Sequence, residues 1–243
     1  MAGQRNQDVD SHVRRLWRHR GTTLPTPRRG PSGRLDLDEL LAAAIAIADL
    51  AGLDAVSIRA VAGRFGVTAM ALYPYVGTKE QLLALMQDHA SAMPAWPDPG
   101  TGLAGDLDAW ASTLAAVYLG HPWLTERPWS EATQGPNEQD WSERLLAILD
   151  RWAVPMASRP SALTMLYATV RACAGTAAAY RRLDEDGAAA WRTLARATAR
   201  QVPDLAARYP RSTALPPLTP DWRDNPLAAL TAGVRLLAAG LCG

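Results

Sequence analysis

Apolar residues recur three or four positions apart from residue 36 to the end of the chain, in segments rich in alanine and leucine. This spacing places them on one face of an α-helix, whereas a strand would alternate apolar and polar residues and favour β-branched ones. The pattern therefore predicts an all-α protein. Prolines and glycines cluster before residue 35 and at 94–102, 128–137 and 203–226, and these clusters are predicted to be loops.

The first predicted helix has a clear beginning and end. Asp36 followed by Glu39 has the spacing of a capping box, and Gly52 can adopt the left-handed conformation that ends a helix. The apolar positions between them repeat with the period of a helix. A helix is therefore expected from about Leu37 to Ala51.

Three shorter helices are predicted next. Ser57 and Thr68 are expected to cap two of them, and Gly66 permits a tight turn between the two. Thr78 and Gln81 form a second capping box, which opens a helix towards residue 89. These helices end before the breaker cluster at 94–102, which we interpret as the boundary to longer helices behind it.

The stretch from Ile58 to Gly77, IRAVAGRFGVTAMALYPYVG, has the spacing of a DNA-binding helix-turn-helix. That motif needs a small residue where its helices cross, a glycine in the turn and apolar residues that hold the angle. Ala62 and Gly66 meet the first two needs, and the apolar set is Val61, Phe65, Val67 and Leu72. An ordinary helical hairpin is the alternative interpretation.

The longer stretch GLDAVSIRAVAGRFGVTAMALYPYVGTKEQLLALM resembles the DNA-binding domain of the TetR family of transcriptional regulators. The resemblance covers residues 37–89. It implies an N-terminal three-helix helix-turn-helix DNA-binding domain followed by a larger helical ligand-binding and dimerisation domain. The expected division is a basic flexible arm at 1–34, the DNA-binding domain at 35–93 and the ligand-binding and dimerisation domain at 103–243.

The resemblance also implies which residues meet DNA. The helix from Thr68 to about Tyr75 would lie in the major groove, where Ala69 and Met70 can offer only apolar contact, as to thymine methyl groups. Arg59 is the candidate for a bidentate guanine contact. Phosphate contacts are implied for Ser57, Thr68, Tyr73, Tyr75 and Lys79, with helix packing as the alternative for the two tyrosines. Pro74 departs from the family pattern and predicts a short or kinked helix.

Composition narrows the class of protein. Hydrophobic residues make up 48% of the chain and charged residues 20%, which is typical of a globular protein. The longest apolar run, Leu40–Ala48, is too short to span a membrane, and the chain starts with no apolar stretch of signal-peptide type, so we expect a cytoplasmic protein without membrane contact. Two cysteines give neither a disulfide framework nor a metal-binding spacing, and no cofactor or metal is predicted.

Basic charge is concentrated at the start of the chain. The net charge is only +1, yet residues 1–34 hold eight arginines against Asp8 and Asp10. Prolines and glycines in this segment suggest a mobile arm with a short helix near His12–His19. A DNA-contacting arm and a solvated tail are the two interpretations. The only lysine of the chain, Lys79, falls at a position of the family's phosphate contacts.

Two later segments carry heptad-like apolar stripes, which favour a homodimer through helices near 161–182 and 225–241. The alternative is that the stripes line the chain's own core. A dimer would require a pseudo-palindromic operator, since each subunit reads one half-site. The stripes are Leu163, Leu166, Val170, Cys173, Ala177 and Tyr180 in the first segment, and Leu227, Leu230, Val234, Leu237 and Leu241 in the second.

Aromatic residues between the boundary and the first stripe suggest a ligand pocket as a group, whereas an ordinary core is the favoured interpretation for each single tryptophan and for His121. The stretch from Gly120 to Leu124, GHPWL, resembles the C-terminal domain of the tetracycline-repressor branch of the family. The predicted ligand-binding residues are Trp110, Tyr118, His121, Trp123, Trp129, Trp141, Trp152, Tyr167 and Arg171.

The expected function is a ligand-responsive transcriptional regulator, a repressor that a small apolar or aromatic effector releases from double-stranded operator DNA. One alternative is an all-α enzyme that uses the same pocket, although no His-Glu-x-x-His pair, di-iron motif or phosphate-binding glycine loop occurs. The other is a DNA-binding regulator without an effector, which tightly packed tryptophans would favour.

Overall fold

A computed structural model describes residues 2–22, 35–96, 100, 102–127, 131, 133–215 and 222–242. These residues form twelve α-helices and no strand, which confirms the all-α class. No helix in the described ranges combines the length and apolar content needed to cross a bilayer. The helices are α1 (Ala2–Leu16), α2 (Leu37–Ala51), α3 (Ile58–Arg64), α4 (Ala69–Val76), α5 (Lys79–Ala90), α6 (Leu103–Gly120), α7 (Pro136–Arg151), α8 (Arg159–Arg182), α9 (Glu185–Gln201), α10 (Leu205–Arg208), α11 (Pro210–Thr213) and α12 (Asn225–Cys242).

The helix starts expected from the sequence are confirmed. The side chains of Asp36, Ser57 and Thr78 each accept a hydrogen bond from a backbone N–H in the first turn of α2, α3 and α5. The side chain of Gln81 accepts a hydrogen bond from the backbone N–H of Thr78, which completes the capping box. Thr68 precedes α4 as expected, but its hydroxyl makes no capping bond, so the backbone of α4 does not use it.

The N-terminal segment differs from the mobile arm expected. Residues 2–16 form α1, which is longer than the short helix predicted near His12–His19, and it packs against α5 with Leu16 buried. Arg15, Arg18 and Arg20 find partners far away in the sequence, which a local pattern does not reveal. Residues 23–34, with the arginines at 28, 29 and 34, lie outside the described residues.

Helices α6, α8 and α12 pack together as the core of the C-terminal half, and α7 lies across α5, α6 and α8. Five of the eleven predicted stripe residues are buried inside this core, each at most 2% exposed, and the other six are partly buried. The five are Leu166, Val170 and Ala177 on α8, and Leu230 and Val234 on α12. The alternative interpretation of the stripes is therefore the one the structure supports. The opposite faces of α8 and α12 are open, with Met165 54% and Leu236 77% exposed.

Helices α9 to α11 contain no buried residue among those described, and Leu194 on α9 is 66% exposed. The prediction of a loop at 203–226 is wrong in part, because this segment holds α10, α11 and the first residues of α12. Likewise α7 begins inside the 128–137 cluster, with Pro136 at its first position, where a proline is tolerated because no backbone donor is needed.

Candidate nucleic-acid interface and internal cavity

Helices α3 and α4 form the predicted helix-turn-helix. The carbonyl of Ala62 accepts hydrogen bonds from the backbone N–H of Phe65 at 3.0 Å and of Val67 at 3.2 Å, which closes the turn. Gly66 has φ +64°, a conformation that favours glycine. Leu72 and Val76 are fully buried beneath α4 and fix its angle against the other helices.

The outer face of α4 is apolar. Met70 is 75% exposed and Tyr73 45% exposed, while Thr68 is exposed just before the helix. Ala69 and Tyr75 lie beside this face, and both are half-buried and pack against the hydrophobic core. The structure therefore presents Met70 and Tyr73 most fully to solvent, and it favours the packing alternative for Tyr75.

Helix α4 has eight residues, in agreement with the short helix expected from Pro74. Proline has no N–H to donate, so the carbonyl of Met70 loses its usual partner within the helix. The helix still continues to Val76 and ends where the N–H of Gly77 donates to the carbonyl of Tyr73 at 2.9 Å. The carbonyl of Pro74 accepts a hydrogen bond from Arg15 Nη2 at 3.3 Å.

Two cationic side chains stand close to α4 in the sequence. Arg59 is the second residue of α3 and Lys79 the first residue of α5, and both are exposed. A lysine at the start of a helix opposes the helix dipole, so Lys79 does not stabilise α5. Both side chains are therefore open to solvent beside α4.

An internal cavity of about 50 Å³ lies between α5, α6, α7 and α8. Four of the predicted ligand-binding residues line it: Tyr118, Trp141, Tyr167 and Arg171. Burial raises the pKa of Tyr118 to about 12 and that of Tyr167 further, so both phenols are neutral donors at physiological pH. The other lining residues are Gln87, Asp88, Ser91, Leu114, Leu124, Thr133 and Glu138.

Arg171 stands at the edge of this cavity. Its Nε and Nη2 donate to the carbonyl of Thr125 at 3.0 and 2.7 Å. On its other side an open groove of about 510 Å³ runs along α8, and Tyr167 and Arg171 line both spaces. The arginine side chain therefore borders both the cavity and the groove.

Three of the predicted tryptophans do not line the cavity. Trp110 is fully buried and donates from its indole N–H to the carbonyl of Trp141 at 3.1 Å. The indole N–H of Trp123 donates to Asp49 Oδ1, and that of Trp152 to Asp106 Oδ2, each at 2.7 Å. These three side chains are packed and hydrogen-bonded as core residues are.

His121 also lies away from the cavity, because its Nδ1 is 2.9 Å from Asp49 Oδ1 and it lines an open groove between α2, α5 and α6. Trp129 lies outside the described residues. Among the residues with described positions, no group of three or more histidine, cysteine, aspartate or glutamate side chains could hold a metal ion.

The sequence reasoning missed the carboxylates of the cavity. Asp88 near the end of α5 is 4% exposed and accepts hydrogen bonds from the N–H groups of Asn137 and Glu138 at the start of α7. Burial raises the pKa of Asp88 to about 6, while the two N–H donors oppose that rise. Gly135 lets this carboxylate approach, because a Cβ there would collide with it. The breaker cluster predicted at 128–137, which contains Gly135 and Asn137, is the sequence signal at this place.

Two family models match the chain. Residues 40–86 match the family described as bacterial regulatory proteins, tetR family, which covers α3 and α4. Residues 96–233 match the tetracyclin repressor-like C-terminal domain, which covers α6 to α11 and the lining residues of the cavity other than Gln87, Asp88 and Ser91.

Individual relatives agree with these matches. The chain is 35% identical over 162 residues, 65% of its length, to the HTH-type transcriptional repressor DrrR1 of Streptomyces coeruleorubidus, and the match spans 58% of that relative. An HTH-type transcriptional regulator of Saccharopolyspora erythraea is 27% identical over 85% of this chain and 84% of its own. The Streptomyces coelicolor TetR family protein ActR, crystallised with actinorhodin, shares the fold with a TM-score of 0.73 at 23% identity, over 88% of this chain and 96% of its own.

Proposed function

Because the chain belongs to the TetR family of bacterial regulatory proteins, we propose that it binds operator DNA through α3 and α4 and releases that DNA when a small molecule occupies its C-terminal helices. The observation that carries the proposal is the exposed face of α4, with Met70 and Tyr73 outward and the cations Arg59 and Lys79 on the helices before and after it. Residues 35–93 form the DNA-binding domain in this proposal, and residues 103–243 the ligand-binding and dimerisation domain. The name of the S. coeruleorubidus relative, a repressor, supports repression as the output.

Base reading is assigned to the start of α3 and to α4. Arg59 reaches outward from α3 and has the guanidinium geometry that pairs with O6 and N7 of guanine. Met70 and Ala69 supply apolar contact, since neither side chain can donate a hydrogen bond to a base edge. Sequence preference therefore depends on one polar side chain and on shape.

Phosphate contacts are assigned to Lys79, Tyr73, Thr68 and Ser57. The hydroxyl of Thr68 makes no capping bond, and the hydroxyl of Ser57 only accepts one, so both can donate to a phosphate oxygen. Tyr73 is exposed on α4, whereas Tyr75 packs against the core and is assigned to packing. These contacts position the protein on the duplex without reading its sequence.

The effector site is assigned to the cavity of Tyr118, Trp141, Tyr167 and Arg171. A typical ligand pocket holds about 300–1,000 Å³, so the cavity of about 50 Å³ accepts an effector only after it joins the groove along α8. Movement of Arg171 away from the carbonyl of Thr125 would join the two. The ActR complex, with actinorhodin bound, supports an aromatic effector for this fold.

The packed tryptophans favour a second candidate, a DNA-binding regulator without an effector. Trp110, Trp123 and Trp152 all satisfy their indole N–H groups inside the chain, and none of them lines the cavity. Both candidates share the same DNA-reading helices, so they differ only in whether a compound changes the affinity for DNA.

We assign dimerisation to the open faces of α8 and α12 rather than to their buried stripes. Met165 on α8 and Leu236 on α12 leave large apolar side chains exposed, and small residues beside them allow two helices to approach closely. Two such helices from each subunit would form a four-helix bundle. The two copies of α4 would then face two successive half-sites of a pseudo-palindromic operator.

Selection of bound duplexes from a random DNA pool tests DNA binding, and a screen for compounds that dissociate the selected duplex tests the effector. We expect an enriched pseudo-palindrome and at least one aromatic compound that weakens binding about 5- to 150-fold, the usual range of allosteric coupling. No enriched duplex would refute the function as a whole. An enriched duplex that no compound releases would support the second candidate.

Arg171→Met tests the placement of the effector site, with Arg182→Met at the exposed end of α8 as the matched control. Arg171→Met should shift the concentration of the selected compound needed for release by at least about tenfold, because the guanidinium borders both the cavity and the groove. The affinity for DNA without the compound should stay unchanged. Equal responses of the two variants would place the effector elsewhere.

A further inference from the structure

The segment from Arg15 to Arg20, here called the brace, connects parts of the chain that are distant in sequence. It covers the last turn of α1 and the turns after it, and it precedes the regions that the two family models match. Trp17 packs against the hydrophobic core, and Leu16 beside it is 3% exposed. The brace is therefore anchored to the body of the protein.

One end of the brace meets the DNA-reading helix. Arg15 Nη2 donates to the carbonyl of Pro74 at 3.3 Å, in the last turn of α4, where helix carbonyls lack partners within the helix. A guanidinium at this end of a helix also interacts favourably with the helix dipole. Arg15 thus holds the C-terminal turn of α4 through a residue outside α2 to α5.

The other end of the brace meets the wall of the cavity. The indole N–H of Trp17 donates to the carbonyl of Gln134 at 3.2 Å, and Arg20 forms an ion pair with Asp140. Both acceptors belong to residues 133–141, the segment that supplies Thr133, Glu138 and Trp141 to the cavity. A displacement of this wall therefore acts directly on Trp17 and Arg20.

The middle of the brace is fixed to α2 and α5. Arg18 pairs with Asp38 on α2, and its Nη2 lies 3.3 Å from His89 Nδ1 on α5. Because Arg15, Trp17, Arg18 and Arg20 lie within six consecutive residues, the two ends are joined by a short stretch of backbone that can turn about the point where Arg18 is held. A shift at one end is then carried to the other.

We propose that the brace is a second connection between the cavity and α4, beside the covalent route through α5, and that Arg15 is a positioning residue for the DNA-reading helix. This inference rests on the proposed function, since it assumes that the cavity controls DNA binding. A ligand that pushes residues 133–141 outward would draw Trp17 and Arg20 with them and weaken the bond between Arg15 and Pro74. The helix would lose a contact that fixes its angle for the major groove.

Amide hydrogen exchange of the free protein tests the connection, because a change made at one end is read at the other. Trp17→Phe keeps an aromatic ring against the core but removes the indole hydrogen bond to Gln134, and Arg20→Gln removes the ion pair with Asp140, so the exchange at 69–77 reports transmission. Arg15→Gln removes the hydrogen bond to Pro74 and leaves the contacts of Trp17 and Arg20 in place, so the exchange at 133–141 reports transmission in the other direction. Arg14→Gln, an exposed arginine on the same helix, is the matched control for loss of charge.

We expect exchange at the distant segment to rise about two- to tenfold in all three variants, as the loss of one hydrogen bond implies, with no change in Arg14→Gln or in α6. Unchanged exchange at the distant segment in every variant would overturn the proposal. A uniform rise that includes α6 would also overturn it, because that result shows a general loss of stability.

A second experiment measures exchange of the wild-type protein after the duplex selected from the random pool has been added. Binding should slow exchange at 69–77 and also at 133–141, because coupling between two sites is reciprocal. Protection that stays confined to 57–79 would overturn the inference and leave DNA binding intact. Absence of any bound duplex would instead refute the proposed function, and the role of the brace in regulation with it.

Discussion

The carboxylate of Asp88 caps a helix that begins 48 residues further along the chain: its Oδ1 accepts a hydrogen bond from the backbone N–H of Asn137 at 3.0 Å. The side-chain amide of Asn137 donates a second hydrogen bond, to the backbone carbonyl of Asp88 at 2.9 Å. Asp88 belongs to α5, which starts directly after the DNA-reading helix, and Asn137 to α7, which lines the cavity. This pair therefore joins the two halves of the molecule at the cavity wall.

The first prediction concerns the pH dependence of stability at Asp88. Burial raises the pKa of Asp88 from 3.8 to about 6, so between about pH 4 and pH 6 the folded state holds a proton that the unfolded chain has released. The contribution of Asp88 to the free energy of unfolding therefore falls as the pH rises through that window. Asp88→Asn does not titrate and should lack this fall, which we expect to be about 2 kcal/mol.

Urea unfolding of the wild type and of Asp88→Asn at pH 4 and at pH 7 measures this difference. The exposed Asp54→Asn serves as control and should track the wild type at both values. A difference between the wild type and Asp88→Asn that stays constant from pH 4 to pH 7 would contradict the prediction.

Arg59→Ala should weaken binding to the selected duplex by about 1–3 kcal/mol and relax the preference at one base pair, because a bidentate contact to guanine is lost. Titration against duplexes that differ at each position measures both effects. Arg64→Ala, at the exposed end of the same helix, is the control for loss of one positive charge. Equal selectivity of the two variants would remove Arg59 from base reading.

Lys79→Ala should weaken binding to all duplexes alike, because a phosphate contact carries no sequence information. The slope of the logarithm of affinity against the logarithm of salt concentration should decrease by about 1, as one fewer counterion is released. Affinities measured at several salt concentrations give this slope. A change that depends on the sequence of the duplex would be inconsistent with a phosphate contact.

Leu236→Arg should convert a dimer into a monomer, because it places a charge in the open face of α12 where Leu236 is 77% exposed in the single chain. Leu50→Arg on α2, where Leu50 is 84% exposed, adds the same charge away from the proposed interface and should leave the dimer intact. Sedimentation velocity distinguishes the two masses. A Leu236→Arg protein that stays dimeric would place the interface on another surface.

The local features of the fold could be predicted from the sequence because they depend on neighbours in the chain. A cap such as Ser57 bonds to an N–H three residues away, and the Thr78–Gln81 box is complete within four residues. The turn at Gly66 follows from the backbone freedom of that residue. The helix-turn-helix itself is built from such local signals, so its residues were placed correctly.

Features that depend on distant partners could not be predicted in this way. The N-terminal arginines suggest a mobile basic arm until Asp38, Asp140 and the carbonyl of Pro74 are known to face them. Periodic apolar stripes show that one face of a helix is covered, but not whether α6 of the same chain or a second subunit covers it. A tryptophan such as Trp110 has the same sequence signature in a packed core as in a pocket.

The bond between Arg15 and Pro74 has a consequence for protein engineering. A chimaera that grafts residues 35–93 of this chain onto the effector half of a relative would leave the last turn of α4 without its donor, since Arg15 lies upstream of the graft. In the chimaera α4 would be held less rigidly than in the parent chain, although every residue of the helix-turn-helix was retained. Grafts that also include residues 7–22, in a recipient that has an aspartate at the position of Asp140, would preserve the bond between Arg15 and Pro74.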